Sequence, residues 1–236
     1  VRVDATLTVV DAKHILAQLQ SKDPQEAQQV CEQIALADKL VINKMDLVDG
    51  AMMDQVKEEI RFLNPLVEIL QSTNCEVDLE KLIDLHAFDL DRLLQQMESD
   101  DVGNHSHHHG EDSHHHTHAH GHSNDIDTVS LKYDGDLDYD ALLAWMGKLI
   151  VTRGETLLRV KGIIPIAEDN GAYGQREPRR LLAYQGVQSL MQGDFLRPLG
   201  SNEAVSARLV FIGRDLDRAT LEADFLACTS ASKKIK

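Results

Sequence analysis

The chain has 236 residues, 42% of them apolar and 27% charged, a balance that supports a folded core and excludes wholesale disorder. Its formal charge of -15 excludes the clustered basic surface with which proteins neutralise nucleic-acid phosphates. Three scattered cysteines, Cys31, Cys75 and Cys228, have no CxxC spacing, so they write neither a disulfide framework nor a zinc knuckle and fit a reducing cytoplasm.

No apolar run reaches the roughly 18 residues of a membrane-spanning helix, and the opening Val1-Arg2-Val3-Asp4 lacks both a signal-peptide build and an initiator Met. The sequence therefore predicts a soluble protein read from an internal starting point. Leu7 to Val10 form a short apolar run ending at Asp11, after which Ile15, Leu16 and Leu19 recur at helical spacing. This predicts a buried strand feeding a helix, with Asp11 as the helix cap. The pattern repeats with Ile34, Ala35 and Leu36 on a helix, then Lys39-Leu40-Val41-Ile42 as a fully apolar strand stopping at Asn43. A helix from Met52 to Leu63 ends before Asn64-Pro65, Val67 to Leu70 reads as a third strand, and Leu79 to Leu94 carries helical spacing with a break near His86 to Phe88. Strand, helix, strand is the grammar of a parallel sheet. Three strands alone would leave an edge and apolar faces uncovered, so further strands are expected before Val1.

Between Glu98 and Asp127 the periodicity vanishes into His, Ser, Gly, Asp and Asn, which predicts a flexible linker over 99–126. Beyond it, Thr128 to Tyr133 alternates like a strand and Tyr139 to Ile150 like an amphipathic helix. Thr156 to Ala167 reads as a strand pair or a bent strand, broken at Gly162 and Pro165. Alternating stretches at Arg180 to Leu190, Phe195 to Leu199 and Ala207 to Ile212 precede a closing helix from Leu216 to Ala227. That order implies an antiparallel sheet with helices on one face, an α+β domain over 127–236. Arg176, Arg179 and Arg180, and Glu168-Asp169, read as solvated loop charges.

The tetrapeptide Asn43-Lys44-Met45-Asp46 follows an apolar strand at the place where open α/β sheets hold their ligands. It resembles the NKxD motif by which GTPases recognise guanine. In that resemblance Asp46 accepts hydrogen bonds from the ring N–H and exocyclic amine of guanine, Asn43 bonds the opposite edge and ties down neighbouring loops, and the Lys44 stem lies over the base. Adenine lacks that pair of donors and would leave Asp46 desolvated and unpaired, which is a strong ground for rejection. Without its strand, the tetrapeptide would equally suit a polar strand end with Asp46 capping the next turn.

The surrounding residues extend the likeness. Val9-Val10-Asp11-Ala12, the run Glu32 to Val48, Asn64-Pro65, Glu76-Val77-Asp78-Leu79 and Ala87-Phe88-Asp89-Leu90 resemble the CobW family of GTPases. Past the linker, Arg159-Val160-Lys161-Gly162, Gln185-Gly186-Val187 and Arg208-Leu209-Val210-Phe211-Ile212-Gly213 resemble that family's carboxy-terminal domain. The resemblance implies that Ser72-Thr73-Asn74 hold the base through backbone N–H groups. It also implies a fold in which part of a P-loop GTPase α/β sheet (1–98) is followed by the His-rich linker and a small α+β domain. No GxxxxGK[ST] phosphate loop and no CxCC metal motif of the family occurs in the chain. GTP hydrolysis and the Mg²⁺ that serves it are therefore expected only of an intact parent, and this chain alone is expected to bind GTP weakly or not at all.

Residues His105 to His122 hold ten of the twelve histidines: His105, His107, His108, His109, His114, His115, His116, His118, His120 and His122. Imidazole is mostly neutral near pH 7, so these nitrogens are free to bind Zn²⁺, Co²⁺, Ni²⁺ or Cu²⁺. The tract is internal, irregular and mixed with Glu111 and Asp112, unlike an affinity tag. Zinc leads by ligand type and by the resemblance; cobalt and nickel stay open. His14 and His86 stand alone and read as packed or surface residues.

The function implied is a GTP-dependent metallochaperone that hands zinc or a similar metal to a client metalloprotein, with no nucleic-acid or membrane partner; a homo-oligomer is compatible with these residues. Two alternatives remain at this stage: a metal buffer that uses the histidines without nucleotide, and a cobalt chaperone of cobalamin synthesis.

Overall fold

The computed structural model describes residues 5–83, 126–168, 177–201 and 203–229. Three parallel strands, β1 (Leu7–Asp11), β2 (Lys39–Asn43) and β3 (Glu68–Gln71), lie side by side in that order. Parallel neighbours need crossover connections, and helices supply them. The helices α1 (Ile15–Leu19) and α2 (Pro24–Leu36) join β1 to β2, and α3 (Gly50–Leu63) joins β2 to β3. Asp23 starts α2 by accepting the Gln25 N–H with Pro24 at the first helical position, and Asp49 starts α3 by accepting the Met52 N–H. Each helix turns one apolar stripe inward: Ala27, Cys31, Ile34 and Ala35 on α2, and Met53, Val56, Ile60 and Leu63 on α3. On the edge strand β1, Thr8 and Val10 are buried while Leu7 and Val9 are exposed. From Leu79 the helical spacing yields a short 3₁₀ turn, Leu79–Lys81, and the rest of the expected helix lies outside the described residues.

The second sheet has five strands, β4 (Ile126–Tyr133), β5 (Leu157–Ile166), β6 (Arg180–Val187), β7 (Leu190–Pro198) and β8 (Ala207–Arg214), in the order β4-β8-β5-β6-β7 with every neighbour antiparallel. Two helices, α4 (Tyr139–Arg153) and α5 (Arg218–Ala227), complete the α+β unit. They bury Leu142, Trp145, Met146 and Leu149 from α4 and Leu221 and Phe225 from α5 with Val160, Ile164, Leu209 and Phe211 of the sheet. The Trp145 ring stands edge-on to Phe211, centroids 5.8 Å apart.

The break expected at Gly162 and Pro165 does not occur, and β5 runs unbroken through both. A Cβ on Gly162 would lie 2.4 Å from Leu209 Cδ2 and 2.5 Å from the Arg208 carbonyl, so the missing side chain is what lets β8 pass close by. Pro165 falls after the last β8 pair, Ile163 with Arg208, and its missing N–H therefore interrupts no ladder on that side.

The sheet's second face is covered by the first unit. A bulge between Leu157 and Arg159 changes the alternation, so Leu158 and Ile163, with Leu181, Val210 and Ile212, share a core with Ile15, Ile34, Leu40 and Ile60. Two cations of β5 lie on this face. Arg159 donates to the Leu36 carbonyl at 2.6 Å and pairs with Asp38, while Lys161 Nζ reaches Asp38 Oδ1 at 2.8 Å. Arg214 of β8 pairs with Glu32 of α2. Burial pushes the Asp38 carboxyl up, but Lys161 and Arg159 together more than offset it and hold it below the usual carboxylate range. Helices therefore cover one face, as the element order predicts, and the other face is an inter-unit core. Arg179 is likewise no solvated loop charge: it grips Asp136 through Nε at 2.8 Å and donates to the carbonyls of Gly200 and Glu203.

Candidate base-binding site

The ends of the three parallel strands bring together Asp11, the segment Asn43 to Asp46, and the segment Ser72 to Cys75. Asp11 pairs in register with Asn43, and Ile42 with Gln71. Three hydrogen bonds then lock the loops that follow. Asn43 Oδ1 accepts the Cys75 N–H at 2.9 Å, the Ser72 carbonyl accepts the Met45 N–H at 3.2 Å, and the Ser72 N–H donates to the Ile42 carbonyl at 2.8 Å. Asn43 thus ties the two loops together through its side chain.

Lys44 adopts a left-handed backbone with φ 61° and ψ 37°, and Asn74 and Cys75 do so at 54° and 58°. For a residue with a Cβ this costs about 1–2 kcal/mol and persists where neighbouring bonds impose it. Here the Met45 N–H and Asn43 side chain impose it from either side. The turn lifts Lys44 back over the sheet, where its Nζ lies 2.8 Å from Asp11 Oδ2. The same oxygen is 3.0 Å from His14 Nδ1, and Asp11 Oδ1 accepts the Lys13 N–H at 2.9 Å. The hydrogen bond to Asp11 raises the Lys44 ammonium pKa, and the same bond holds the Asp11 carboxyl far below its ordinary range.

Asp46 stands exposed in the 3₁₀ turn Met45–Leu47. It caps no helix, since Asp49 does that for α3. All six residues expected at the base therefore lie at the end of β2 or on the two joined loops that follow β2 and β3, with one adjustment. The Ser72 N–H belongs to the sheet ladder, so the backbone donors of that trio left outside the ladder are those of Thr73 and Asn74.

Asp11 does not cap α1. His14 occupies that position without a side-chain cap bond, and Asp11 turns instead to Lys13, His14 and Lys44. The sequence carries a signal for this, because Asp11 ends its apolar strand just as Asn43 ends β2. Cys31 and Cys228 are buried, whereas Cys75, whose N–H donates to Asn43 Oδ1, is exposed. Burial pushes the Cys228 thiol up to about 11.

The ten histidines of 105–122, and His86, lie outside the described residues. Among the described residues no cluster of three or more His, Cys, Asp or Glu side chains could hold a metal ion, and no helix is long and apolar enough to cross a membrane.

A parallel α/β sheet presenting a polar Asn43-Lys44-Met45-Asp46 segment at its carboxyl end has the architecture of a nucleotide-binding domain. Comparison with known families agrees: residues 1–71 match the CobW/HypB/UreG nucleotide-binding domain, and residues 126–229 match the cobalamin synthesis protein CobW carboxy-terminal domain. The chain belongs to the CobW family. It is 32% identical over 237 residues to the zinc chaperone CobW of Pseudomonas aeruginosa, covering 93% of this chain and 56% of that protein. It is 26% identical over 223 residues to the zinc chaperone YjiA of Escherichia coli, covering 94% of this chain and 60% of that protein. The crystal structure of Zn(II)-bound YjiA GTPase superposes with a TM-score of 0.66 at 26% identity, over 97% of this chain and 62% of that one. The chain thus spans less than two thirds of the length of these relatives.

Proposed function

We propose that this chain supplies the guanine-reading loops, the metal-gathering segment and the carboxy-terminal domain of a GTP-dependent zinc metallochaperone. The carrying observation is the pair of joined loops at the ends of β2 and β3. Asp46, exposed beside them, accepts the guanine ring N–H and exocyclic amine. Asn43 meets the opposite edge while holding the Cys75 N–H, the Lys44 stem lies over the base, and Thr73 and Asn74 offer backbone N–H groups.

The division into a nucleotide unit over 1–98, a histidine linker over 99–126 and a docked domain over 127–236 belongs to the same reading. Zinc is the cargo, held by the neutral histidines of 105–122 and passed to a client metalloprotein in the cytoplasm. The names of the relatives, zinc chaperones among them, support zinc over cobalt or nickel. GTP hydrolysis and its Mg²⁺ require a phosphate-binding loop. No GxxxxGK[ST] stands in these 236 residues, so neither is assigned to a residue here.

The histidine tract favours one second reading, a metal buffer that makes no use of nucleotide. One substitution separates the two. In the full-length gene product, Asp46→Ala should reduce the preference for GTP over ATP by at least about 100-fold, because the donors it answers lose their partner. Equilibrium binding of fluorescent GTP and ATP analogues measures this. A preference untouched by the substitution would leave the buffer reading.

A further inference from the structure

Asp38 sits just before β2 and gathers the entries of all three parallel strands. Its Oδ2 accepts the Thr6 N–H ahead of β1 at 3.0 Å, its own N–H donates to the Thr6 carbonyl at 2.9 Å, and its carbonyl accepts the Glu68 N–H that opens β3 at 3.4 Å. The remaining carboxylate oxygen, Oδ1, is held from the other domain by Lys161 at 2.8 Å and by Arg159. Arg159 is 3% exposed and Lys161 7%, beside the apolar core that the two units share. Two buried cations cost more than apolar side chains of similar size would, so packing alone does not account for them.

The opposite ends of the same strands carry Asp11, Asn43 to Asp46, and Ser72 to Cys75. Strands this short are stiff, advancing about 3.3 Å per residue, so the alignment set at their entries reappears at their exits. We propose that Arg159 and Lys161 of the carboxy-terminal domain are positioning residues for the guanine site: by holding Asp38 they fix the mutual register of β1, β2 and β3, and docking of that domain and nucleotide binding strengthen each other. The proposal rests on the base-site reading above. Linkage makes the coupling reciprocal: whatever docking adds to nucleotide affinity, bound nucleotide adds to docking.

The test uses the full-length gene product, fluorescent GDP, and hydrogen exchange read on β5. Lys161→Met keeps the apolar stem and removes the charge; Asp38→Asn keeps the Thr6 hydrogen bond and removes the partner. Each should weaken GDP binding roughly three- to tenfold, and the double variant should be no worse than the weaker-binding single. Lys161→Arg should restore affinity. Glu32→Gln, which loosens the same interface at Arg214 without touching Asp38, should leave affinity unchanged. GDP should slow β5 exchange in the unaltered protein and not in Lys161→Met. Unchanged GDP affinity in Lys161→Met, or an equal loss in Glu32→Gln, overturns the proposal even if Asp38→Asn fails to fold. A protein that holds ADP as well as GDP overturns the base-site reading and this proposal together, whereas one that prefers GDP but ignores Lys161→Met overturns only the latter.

Discussion

Asn64 has no exposed surface, and its side-chain amide donates to the carbonyls of Ile34 at 2.9 Å, Ala35 at 3.2 Å and Ala37 at 2.9 Å. A helix end leaves its last carbonyls short of intrahelical donors, and α2 ends there without a glycine, its Ala37 N–H reaching back only to Ile34. One residue from α3's end thereby fixes the turn that carries Asp38 into β2. Replacing Asn64 with Ala should strand buried carbonyls and lower stability by about 1–3 kcal/mol, read as a fall in the urea midpoint with an unchanged slope. In the sequence, Asn64-Pro65 marks the end of a helix and no more, because the acceptors lie 27 to 30 positions away. Lys44 teaches the same lesson. Its letter is readable in the motif, but its left-handed backbone follows from bonds made by Ser72 and Cys75, which only folding brings near.

At the scale of elements, β5 is the strand on which both halves of the molecule depend. All ten of its residues are buried: one face meets α4 and α5, the other meets α2. With both faces covered, a new Cβ on Gly162 has no direction in which to relax from Leu209 and Arg208. Gly162→Ala should therefore destabilise the protein by about 1–3 kcal/mol, measured as a lowered melting temperature, although alanine suits a strand no worse than glycine. The composition of this strand reads correctly as β. Its continuity does not, since Gly and Pro are breakers by local rules and become allowed here through the close approach of β8 and the end of its ladder.

For the molecule as a whole, the proposed function assigns the metal ligands to the histidine tract, while the two sheets and their shared core supply the fold. Deleting residues 105–122 should accordingly remove most of the bound zinc and leave the melting transition in place, with metal content and calorimetry as the paired measurements. A ligating histidine must be neutral, so bound zinc should fall as pH drops through about 6. Zinc affinity undiminished at pH 5 would count against histidine ligation.

Periodicity and turn residues were enough to read most of the strand and helix order, the parallel character of the first sheet and the α+β character of the second, and they placed the Asn43-Lys44-Met45-Asp46 segment at the end of β2. Each depends on residues near one another in the chain, where side-chain spacing acts directly on the backbone. The packing of the second sheet onto α2, the convergence of Arg159 and Lys161 on Asp38, and the grip of Asp11 on Lys44 depended on the tertiary structure. Those contacts join residues far apart in the chain, 33 positions for Lys44 and Asp11 and 121 for Arg159 and Asp38, and charge pairing across such distances leaves no periodic trace in the sequence.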